Sequence, residues 1–415
     1  MPVYALADRL DELGRVSDEP DRLTRTFLSA AMRRANALVG GWMAAAGLEV
    51  CEDAFGNLIG RWPSSRPGAR TLLLGSHLDT VRDAGRFDGA LGVLLAIAAL
   101  EELRARGREL PFHVEVLGFS EEEGVRFASA YLGSKGFCGL LTEEDLALRD
   151  AEGVSVEEAL AAFARGRASA GSPLRLPETS PDLSRLLGYL EVHIEQGPVL
   201  ETEGLALGVV SAIAGQTRVK LTWTGKAGHA GTTPMALRRD ALAGAAELVL
   251  AAETLARENP PLVATVGTLV VEPGAANVIP GEVTHSLDVR HPEDGARLTA
   301  LDGLERAAEE IARRRHLSLA WRPTQDDPAV PCSRDLAAVL AESVREIQGR
   351  SVELASGAGH DAVIASRLAP VAMLFVRCRD GLSHHPDEHV EPEDLGLALA
   401  ATVDFLERLA ERERA

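Results

Sequence analysis

Side chains that can bind metal ions follow two apolar runs in the first third of the chain. The run Thr71–Gly75 is followed by His77 and Asp79, and the run His113–Phe119 is followed by three consecutive glutamates. Between these runs, the stretch G-R-F-D-G-A-L-G-V places Asp88 in a loop beside a glycine. Imidazoles and carboxylates are ligands for zinc, manganese and related divalent ions. These residue types therefore predict a metal site.

His77 and Asp79 fit the roles of a ligand and its support. A metal-binding imidazole usually hydrogen-bonds through its second ring nitrogen, which fixes the orientation of the ring. Residues two apart on a strand project from the same face, so these side chains can act together. We expect His77 to bind a metal ion and Asp79 to orient the ring of His77.

The remaining candidates complete a set of five ligands for two ions. Asp88 can approach closely enough from its loop to bridge both ions, Glu123 can bind the second ion, and His193 and His384 supply two more imidazoles. Two ions roughly 3.5–4 Å apart polarise a carbonyl group and lower the pKa of a bridging water. Glu122, next to Glu123, is then the candidate general base.

Each of these residues also has an ordinary structural explanation. An isolated H-x-D motif is weak evidence for a metal ion, and the run Glu121–Glu123 is more often a solvated surface. His193 alone is compatible with a core histidine, and His384 or His385 with a loop histidine. The convergence favours the metal site, because four of these stretches follow an apolar run or a glycine turn.

A second group of polar residues fits substrate binding. His229 lies in a glycine-rich loop, Asn277 in a predicted turn between strands, and Arg290 near the end of a predicted strand. Histidine and asparagine can donate hydrogen bonds to an oxyanion, and arginine can hold a carboxylate with two parallel hydrogen bonds. The alternatives are a loop cap for His229, a turn former for Asn277 and a surface ion pair for Arg290.

The elements that must position the metal ligands can be predicted from the apolar pattern. Leu91–Arg106 is rich in alanine and leucine and ends at Gly107, which predicts a helix. Two strands joined by such a helix lie parallel, so their carboxyl ends meet at one edge of the sheet. Sites of open α/β sheets lie at this edge. Tyr189–Ile194 and Val371–Val376 are further predicted strands.

The pattern changes after Gly208. A strand, a helix, two strands, a helix and a strand then follow, at residues 217–224, 240–258, 262–271, 281–290, 296–315 and 317–322. This βαββαβ order is that of a ferredoxin-like unit. We predict an α/β catalytic domain formed by residues 1–212 and 328–415, with an inserted domain at residues 213–327. A loop is predicted at residues 163–181.

Composition limits the partners and the location. The chain has 415 residues, of which 46% are hydrophobic, and a net charge of -19. The acidic surface argues against nucleic acid or an anionic membrane as a partner. No apolar run is long enough for a membrane span, and the N-terminus does not resemble a signal peptide. The four cysteines are scattered without a C-x-x-C pair, which predicts buried thiols and a cytoplasmic location.

The motifs together resemble a known family over roughly residues 20–410. The chain is similar to the di-metal amidohydrolases that cleave ureido and carbamoyl groups, which are related to zinc exopeptidases and aminoacylases. The similar stretches are G-S-H-L-D-T-V, G-R-F-D-G-A-L-G-V, S-E-E-E-G-V-R-F, H-I-E-Q-G-P-V-L-E, G-H-A-G-T-T-P-M, A-A-N-V-I-P-G-E, S-G-A-G-H-D-A and R-C-R-D-G-L-S-H-H-P-D-E-H. The resemblance implies a mixed-sheet, exopeptidase-like catalytic domain and a ferredoxin-like lid that forms a homodimer.

The resemblance also assigns roles residue by residue. It implies that the metal ligands are His77, Asp88, Glu123, His193 and His384, with Glu122 as the general base and Asp79 as the support of His77. It implies that the substrate contacts are Gln196, His229, Asn277 and Arg290, with His360 near the site in a less defined role. Two departures are a third glutamate, Glu121, and a second histidine, His385. The neighbouring G-V-R-F and G-L-S-H motifs favour Glu122, Glu123 and His384.

The implied activity is hydrolysis of a C–N bond in a linear, anionic ureido acid. Within the family the similarity is greatest to the branch that converts allantoate to ureidoglycine, ammonia and carbon dioxide. The alternatives are an N-carbamoyl-L-amino-acid hydrolase, a β-ureidopropionase, a dipeptidase or aminoacylase, and a binding protein without activity. The ligands suit zinc or manganese, with cobalt or nickel also compatible.

Overall fold

The chain forms two compact units in a computed structural model that describes residues 3–169 and 185–414. Unit 1 comprises Met1–Ser211, Cys332–Leu354 and Gly359–Ala415. Unit 2 comprises Ala212–Pro331 and Ala355–Ala358. Along the sequence, unit 2 therefore interrupts unit 1.

The described sequence contains both strands and helices throughout. The strands are β1 (Glu49–Glu52), β2 (Leu58–Trp62), β3 (Thr71–His77), β4 (His113–Phe119), β5 (Leu186–Ile194), β6 (Leu207–Ile213), β7 (Gly215–Thr224), β8 (Gly228–His229), β9 (Val263–Thr265), β10 (Leu269–Glu272), β11 (Val278–Ile279), β12 (Glu282–His291), β13 (Ser318–Asp327), β14 (Val330–Pro331), β15 (Glu353–Ser356) and β16 (Val371–Val376). The helices are α1 (Val3–Gly14), α2 (Ala30–Ala45), α3 (Ala90–Ala105), α4 (Leu132–Phe137), α5 (Glu143–Ala147), α6 (Val156–Ser169), α7 (Val199–Glu203), α8 (Ala241–Glu258), α9 (Asp294–Arg315), α10 (Arg334–Gln348), α11 (Ala362–Ala365) and α12 (Pro392–Arg414).

Unit 1 is built on a mixed sheet with a parallel centre. The strand order is β1-β2-β4-β3-β5-β16-β6, and β15 also pairs with β6. Strand β3 is parallel to β4 and to β5, and β16 is parallel to β5. The outer pairs β1/β2, β2/β4 and β16/β6 are antiparallel. The carboxyl ends of four adjacent strands, β4, β3, β5 and β16, therefore lie at the same edge, as predicted for a site.

Helix α3 is the central helix of the core of unit 1. It packs against β3, β4 and β5 as well as α1 and α12, and its residues Ala90–Leu100 are buried on every face. A helix that is apolar all round is buried rather than amphipathic. Gly92 allows the close approach to the sheet, because a Cβ there would lie 2.2 Å from the carbonyl oxygen of Val192. The helix that follows Asp88 is therefore fixed against the strand that carries His193.

Unit 2 has the two predicted helices, α8 and α9, between strands, but it has more strands between the helices than the predicted βαββαβ order. Its antiparallel sheet has the order β10-β12-β7-β13, with β9 also paired to β12. Helices α8 and α9 pack on this sheet, and the core contains the fully buried Trp223. The single strand predicted at residues 262–271 is wrong, because it is divided into β9 and β10. There the hydroxyl of Ser286 accepts the N–H of Thr268, which replaces a regular bond of the ladder.

The predicted loop at residues 163–181 is wrong for its first part, since α6 continues to Ser169. Phe163 anchors this helix in a small cluster with Phe27 and Phe127, which outweighs the polar composition of the segment. Residues 170–184, which hold the rest of the predicted loop, lie outside the described residues. Among the described helices, none is long and apolar enough to cross a membrane.

Replacement of Gly92 by alanine is expected to destabilise unit 1. The added methyl group would overlap the carbonyl oxygen of Val192, and overpacking of this kind costs about 1–3 kcal/mol. The matched control is Gly41→Ala in α2, where a Cβ has no neighbour within 4 Å. That variant should gain about 0.5–1 kcal/mol, because alanine favours the helix over glycine. Urea denaturation followed by circular dichroism measures both, and equal stability of the two variants would contradict the packing of α3.

Candidate metal centre

Four adjacent strands of unit 1 deliver the predicted ligands to one edge of the sheet. His77 ends β3, Glu122 and Glu123 follow β4, and His193 lies at the end of β5. His384 lies in the segment after β16. Because these strands are parallel neighbours, their ends bring together residues that are more than a hundred positions apart in sequence.

The carboxylate of Asp88 lies at the centre of the ligand candidates. Its Oδ1 atom is 3.3 Å from Nε2 of His77 and 3.1 Å from Nε2 of His193. Its Oδ2 atom is 3.6 Å from Nε2 of His384, and that same nitrogen is 3.5 Å from Oε1 of Glu123. The two oxygens of one carboxylate thus face two different groups of ligands.

Three groups of candidate ligands meet here; two of them share Asp88, and the third is His77, Glu122 and Glu123. We call His77, Asp88 and His193 the buried triad, and Asp88, Glu123 and His384 the outer triad. In each triad one ligand atom per residue lies within 4.8 Å of the others. All three residues of the buried triad are buried, whereas the side chain of His384 is 48% exposed. The two candidate positions therefore differ in their access to solvent.

Backbone carbonyls orient both imidazoles of the buried triad. Nδ1 of His77 lies 3.0 Å from the carbonyl oxygen of Asp79, and Nδ1 of His193 lies 2.9 Å from that of Ile194. A ring nitrogen facing a carbonyl oxygen must carry a proton, so Nε2 is the free acceptor when the imidazole is neutral, as in a metal ligand. Both acceptors point to Asp88 Oδ1, which is the arrangement that a cation requires.

Asp79 supports both sides of the centre. One oxygen of its carboxylate accepts the N–H of Glu122 at 3.0 Å, and the other accepts the N–H of Glu123 at 3.2 Å. Its Oδ1 atom also lies 3.4 Å from Nδ1 of His77. One buried carboxylate therefore fixes the backbone of the two glutamates relative to the first imidazole.

Gly89 is required for the approach of Asp88 to the imidazoles. It has φ +66°, a conformation that favours glycine, and a Cβ there would lie 2.4 Å from the ring of His77. Its N–H also points to Nε2 of His193 at 3.3 Å. A larger residue at this position would push the Asp88 loop away from the ring of His77.

The electrostatics of the centre show an excess of buried negative charge. Burial opposes ionisation of Asp88, but His193 and His77 outweigh it and hold the pKa of Asp88 well below its usual range. Burial and the nearby Asp88 raise the pKa of Glu123 to about 8. Burial, with Glu123 and Asp79 adding to it, also raises the pKa of Glu122 well above its usual range, against the opposing effect of His77. The carboxylates would ionise fully only beside a compensating positive charge.

The donor set fits divalent cations. Imidazole nitrogens and carboxylate oxygens converge without a thiolate, which suits zinc, manganese, cobalt or nickel. Gln196 adds a further observation, because its Oε1 atom is buried and has no hydrogen-bond donor in the described part of the chain. Its amide nitrogen donates to Oδ2 of Asp88 at 2.8 Å, so the oxygen lies beside the outer triad. An unsatisfied buried acceptor at this place is consistent with a bound ion or substrate.

The structure distinguishes the neighbours that the sequence left ambiguous. His384, and not His385, lies in the outer triad, and His385 faces the exposed Asp387 at 3.7 Å. Glu121 has a local role, since its Oε1 atom accepts the N–H of Gly124. His360 is buried with its ring centroid 4.5 Å from that of His193 in an edge-to-face contact. His360 therefore packs on a ligand candidate.

The other predicted substrate contacts belong to unit 2. The short pair β8/β11 places His229 opposite Val278, next to Asn277, and the N–H of Ala230 bonds to the Asn277 carbonyl. Sequence analysis did not predict this pair, because its two-residue strands are too short to show a pattern. Nδ1 of His229 accepts the N–H of Gly231 at 3.0 Å, so its Nε2 carries the proton and can donate.

Arg290 forms the ion pair that the sequence left open as an alternative. Its Nε and Nη2 atoms donate to the two oxygens of Asp288 at 2.8 and 2.9 Å, and its Nη1 donates to the carbonyl of Gly357. Arg218 also donates to Asp288, at 2.9 Å. Two cations thus share one carboxylate. The hydrogen bonds described for Arg290 use three of the five N–H groups of a guanidinium.

Several residues near the centre were not singled out from the sequence. They are the buried Glu191, Asp361 and Glu388, and the partly buried Ser383. Glu191 lies in the apolar strand β5, and an acid within an apolar run is a signal that could have been recognised. Ser383 and Glu388 lie within the S-H-H-P-D-E-H stretch, but their partner is Asp88, about 300 residues away in sequence.

The fold and the centre define a hydrolase of a metal-dependent class. The chain belongs to peptidase family M20/M25/M40, whose family model matches residues 73–408.

Relatives of the chain cover nearly its full length. Allantoate deiminase of Arabidopsis thaliana is 42% identical over 96% of this chain and 81% of the relative. An N-carbamoyl-L-amino acid amidohydrolase of Geobacillus stearothermophilus is 40% identical over 98% of both chains. The crystal structure of an amidase of the hydantoinase/carbamoylase family from Burkholderia multivorans superposes with a TM-score of 0.90 at 32% identity, covering 98% of this chain and 97% of the other.

Replacement of Asp79 by asparagine is expected to weaken metal binding by roughly 10–100-fold, the usual effect of losing a residue that orients ligands. The amide can accept only one of the two N–H groups of Glu122 and Glu123, and its NH2 group would oppose the other. Titration with Mn²⁺ followed by calorimetry measures the effect. Asp83→Asn is the matched control, since the same change four residues away should leave affinity within about threefold. Unchanged affinity of the Asp79 variant would contradict its supporting role.

Proposed function

We propose that the chain hydrolyses a C–N bond of a linear ureido acid, with allantoate as the substrate and ureidoglycine, ammonia and carbon dioxide as products. The observation that carries this proposal is the carboxylate of Asp88, shared between two triads with Glu122 next to the outer one. The similarity to an allantoate deiminase supports the choice of substrate.

Two divalent ions, zinc or manganese, are the proposed cofactors. His77, Asp88 and His193 would hold one ion, and Asp88, Glu123 and His384 would hold the other. When bound, such ions supply the positive charge that polarises a carbonyl group and acidifies a water. They would also compensate the excess of buried negative charge.

Glu122 is proposed as the general base. Its N–H is held by Asp79, and its side chain is buried beside the candidate ligands, where it could exchange a proton with a water at the metal centre. Glu122 would take a proton from the attacking water and return it to the departing nitrogen. Glu123, one residue further on, would remain a ligand, so neighbouring glutamates would have separate roles.

His229 and Asn277 are proposed to donate hydrogen bonds to the ureido oxygen. The tautomer of His229 leaves Nε2–H free to donate, and the pair β8/β11 places the two residues side by side. Donors aimed at a developing oxyanion stabilise it more than the ground state. Gln196 and His360 are also proposed to contact the substrate, since Gln196 lies beside Asp88 and His360 beside His193.

Arg290 is proposed to bind the substrate carboxylate. Arg218 and Arg290 carry two positive charges, and Asp288 carries one negative charge. This group therefore has a net charge of one positive unit in a chain that is acidic overall. The two N–H groups of Arg290 that the described bonds do not use could form the parallel pair that a carboxylate accepts. Asp288 would then orient the guanidinium rather than neutralise it.

We further propose that residues 213–327 act as a lid and form a homodimer, with residues 1–212 and 328–415 as the catalytic domain. Support for the dimer comes from apolar side chains at the edge of the sheet of unit 2, where Val263, Leu269 and Val270 are 42–57% exposed. An exposed apolar edge strand is a surface that pairs with another chain.

The net charge of -19 supports small molecules rather than nucleic acid or membranes as partners. The four free cysteines support a cytoplasmic location.

Hydrolysis of N-carbamoyl-L-amino acids is the second candidate, favoured by the relative of that name at 40% identity. This activity would use the same two triads and Glu122, but the residues around the substrate side chain would have to accept an amino-acid side chain. A β-ureidopropionase is a variant of this candidate. A dipeptidase or aminoacylase activity would need the same centre but has less support among the close relatives.

Ammonia release is expected from allantoate with the manganese- or zinc-loaded protein, and at a much lower rate from N-carbamoyl amino acids. The assay compares these substrates, β-ureidopropionate and a dipeptide in parallel at equal concentration, with the metal-free protein as the control. Turnover of carbamoyl amino acids alone would move the protein to the second candidate. No turnover of any ureido compound would contradict the proposal.

Replacement of Glu122 by glutamine is expected to lower kcat by roughly 10²–10⁴-fold, because the amide cannot take a proton from water. The variant should still bind two ions, since the proposal places both ions in the triads that share Asp88 and gives Glu122 the role of base in place of a ligand. Glu123→Gln is the matched comparison and should bind fewer ions. Near wild-type turnover of the Glu122 variant with both ions bound would contradict its role as the base.

A further inference from the structure

Glu388 connects the Asp88 loop to the segment that carries His384. It is 1% exposed, and its Oε1 atom accepts the N–H of Phe87 at 2.8 Å and the N–H of Asp88 at 3.0 Å. The approach is close, because a Cβ on Gly85 would lie 2.3 Å from the Cβ of Glu388. One carboxylate oxygen therefore fixes the backbone on which Asp88 stands.

The second oxygen of Glu388 reaches the side chain of Asp88 through a hydroxyl. Oγ of Ser383 lies 3.0 Å from Oε2 of Glu388 and 2.5 Å from Oδ2 of Asp88. This Oδ2 atom belongs to the outer triad, and Ser383 directly precedes His384. Glu388 thus constrains both the rotation of the Asp88 carboxylate and the start of the segment that carries the outer imidazole.

The buried triad does not depend on this link to the same degree. His77 and His193 are oriented by the carbonyls of Asp79 and Ile194, and both rings are buried. His384 is half exposed, and its backbone has a φ of +57°. Apart from the candidate ligands, the polar group described next to its ring is the amide of Gln196, at 3.4 Å. The outer position therefore has fewer constraints of its own.

We propose that Glu388, acting through Ser383, is a positioning residue that sets the affinity of the outer triad for its metal ion. The inference rests on the metal centre of the proposed function. It states that hydrogen bonding by Glu388, and not its charge, holds Asp88 Oδ2 and the His384 segment in place. The buried triad shares Asp88 but should depend less on Glu388, because backbone carbonyls orient both of its imidazoles.

Mn²⁺ binding to the metal-free protein tests the proposal without any measurement of turnover. Calorimetry and the electron paramagnetic resonance signal of free Mn²⁺ give the affinity of the first and of the second ion. Glu388→Ala should weaken the second ion by about 10–100-fold and the first by less than about threefold. Ser383→Ala should weaken the second ion by a smaller factor in the same direction.

Glu388→Gln should restore second-ion binding to within about threefold of the original protein. Its carbonyl oxygen can accept the N–H groups of Phe87 and Asp88, and its amide can donate to Ser383, which then donates to Asp88. Asp387→Asn, the same change at the neighbouring residue whose side chain is 84% exposed, is the control and should leave both affinities unchanged. Glu388→Gln and Ser383→Ala keep the test informative if Glu388→Ala does not fold.

Three outcomes would overturn the inference. They are unchanged second-ion affinity in both Glu388→Ala and Ser383→Ala, an equal loss of both ions in these variants, and a loss in Glu388→Gln as large as that in Glu388→Ala. Failure of the metal centre itself is distinguishable, because the original protein would then bind fewer than two ions before any substitution is made.

Discussion

A single carboxylate, that of Asp88, presents one oxygen to each of two groups of ligands, and the rest of the centre is arranged around it. Oδ1 faces the imidazoles of His77 and His193, and Oδ2 faces His384, beside Glu123. This division requires the loop to approach the rings closely, which Gly89 permits. It also requires the carboxylate of Asp88 to keep one side-chain conformation. The parallel centre of the sheet contributes to the first requirement, because it places the ends of four strands side by side.

The second requirement is met by carboxylates that hold backbone and side chains in place. Asp79 accepts the two N–H groups of the glutamates, and Glu388 accepts those of the Asp88 loop. Beneath them Glu191 accepts the hydroxyl of Ser76 and the N–H of Ala362. Burying so many acids is unfavourable unless positive charge accompanies them. The folded protein therefore carries an electrostatic strain that bound divalent cations would relieve, which links metal binding to stability.

The sequence contained most of the information on the ends of the strands, because the runs around His77, Glu123 and His193 are long and apolar. It also contained the order of the longer elements in unit 2. It could not show the two-residue strands that bring His229 beside Asn277, since such strands have no period. Nor could it show that Glu388 bonds to Asp88, because only the folded chain brings these residues together. The pairing of Arg290 with Asp288 was open to inference, since residues two apart on a strand share a face.

Anomalous diffraction from crystals of the zinc-loaded protein, with data on both sides of the zinc absorption edge, tests the sharing of Asp88 most directly. The account predicts two anomalous peaks per chain, one within coordination distance of Asp88 Oδ1 and both imidazoles of the buried triad. The other should lie beside Oδ2, Glu123 and His384. A single peak, or a second peak away from the Asp88 carboxylate, would contradict the account.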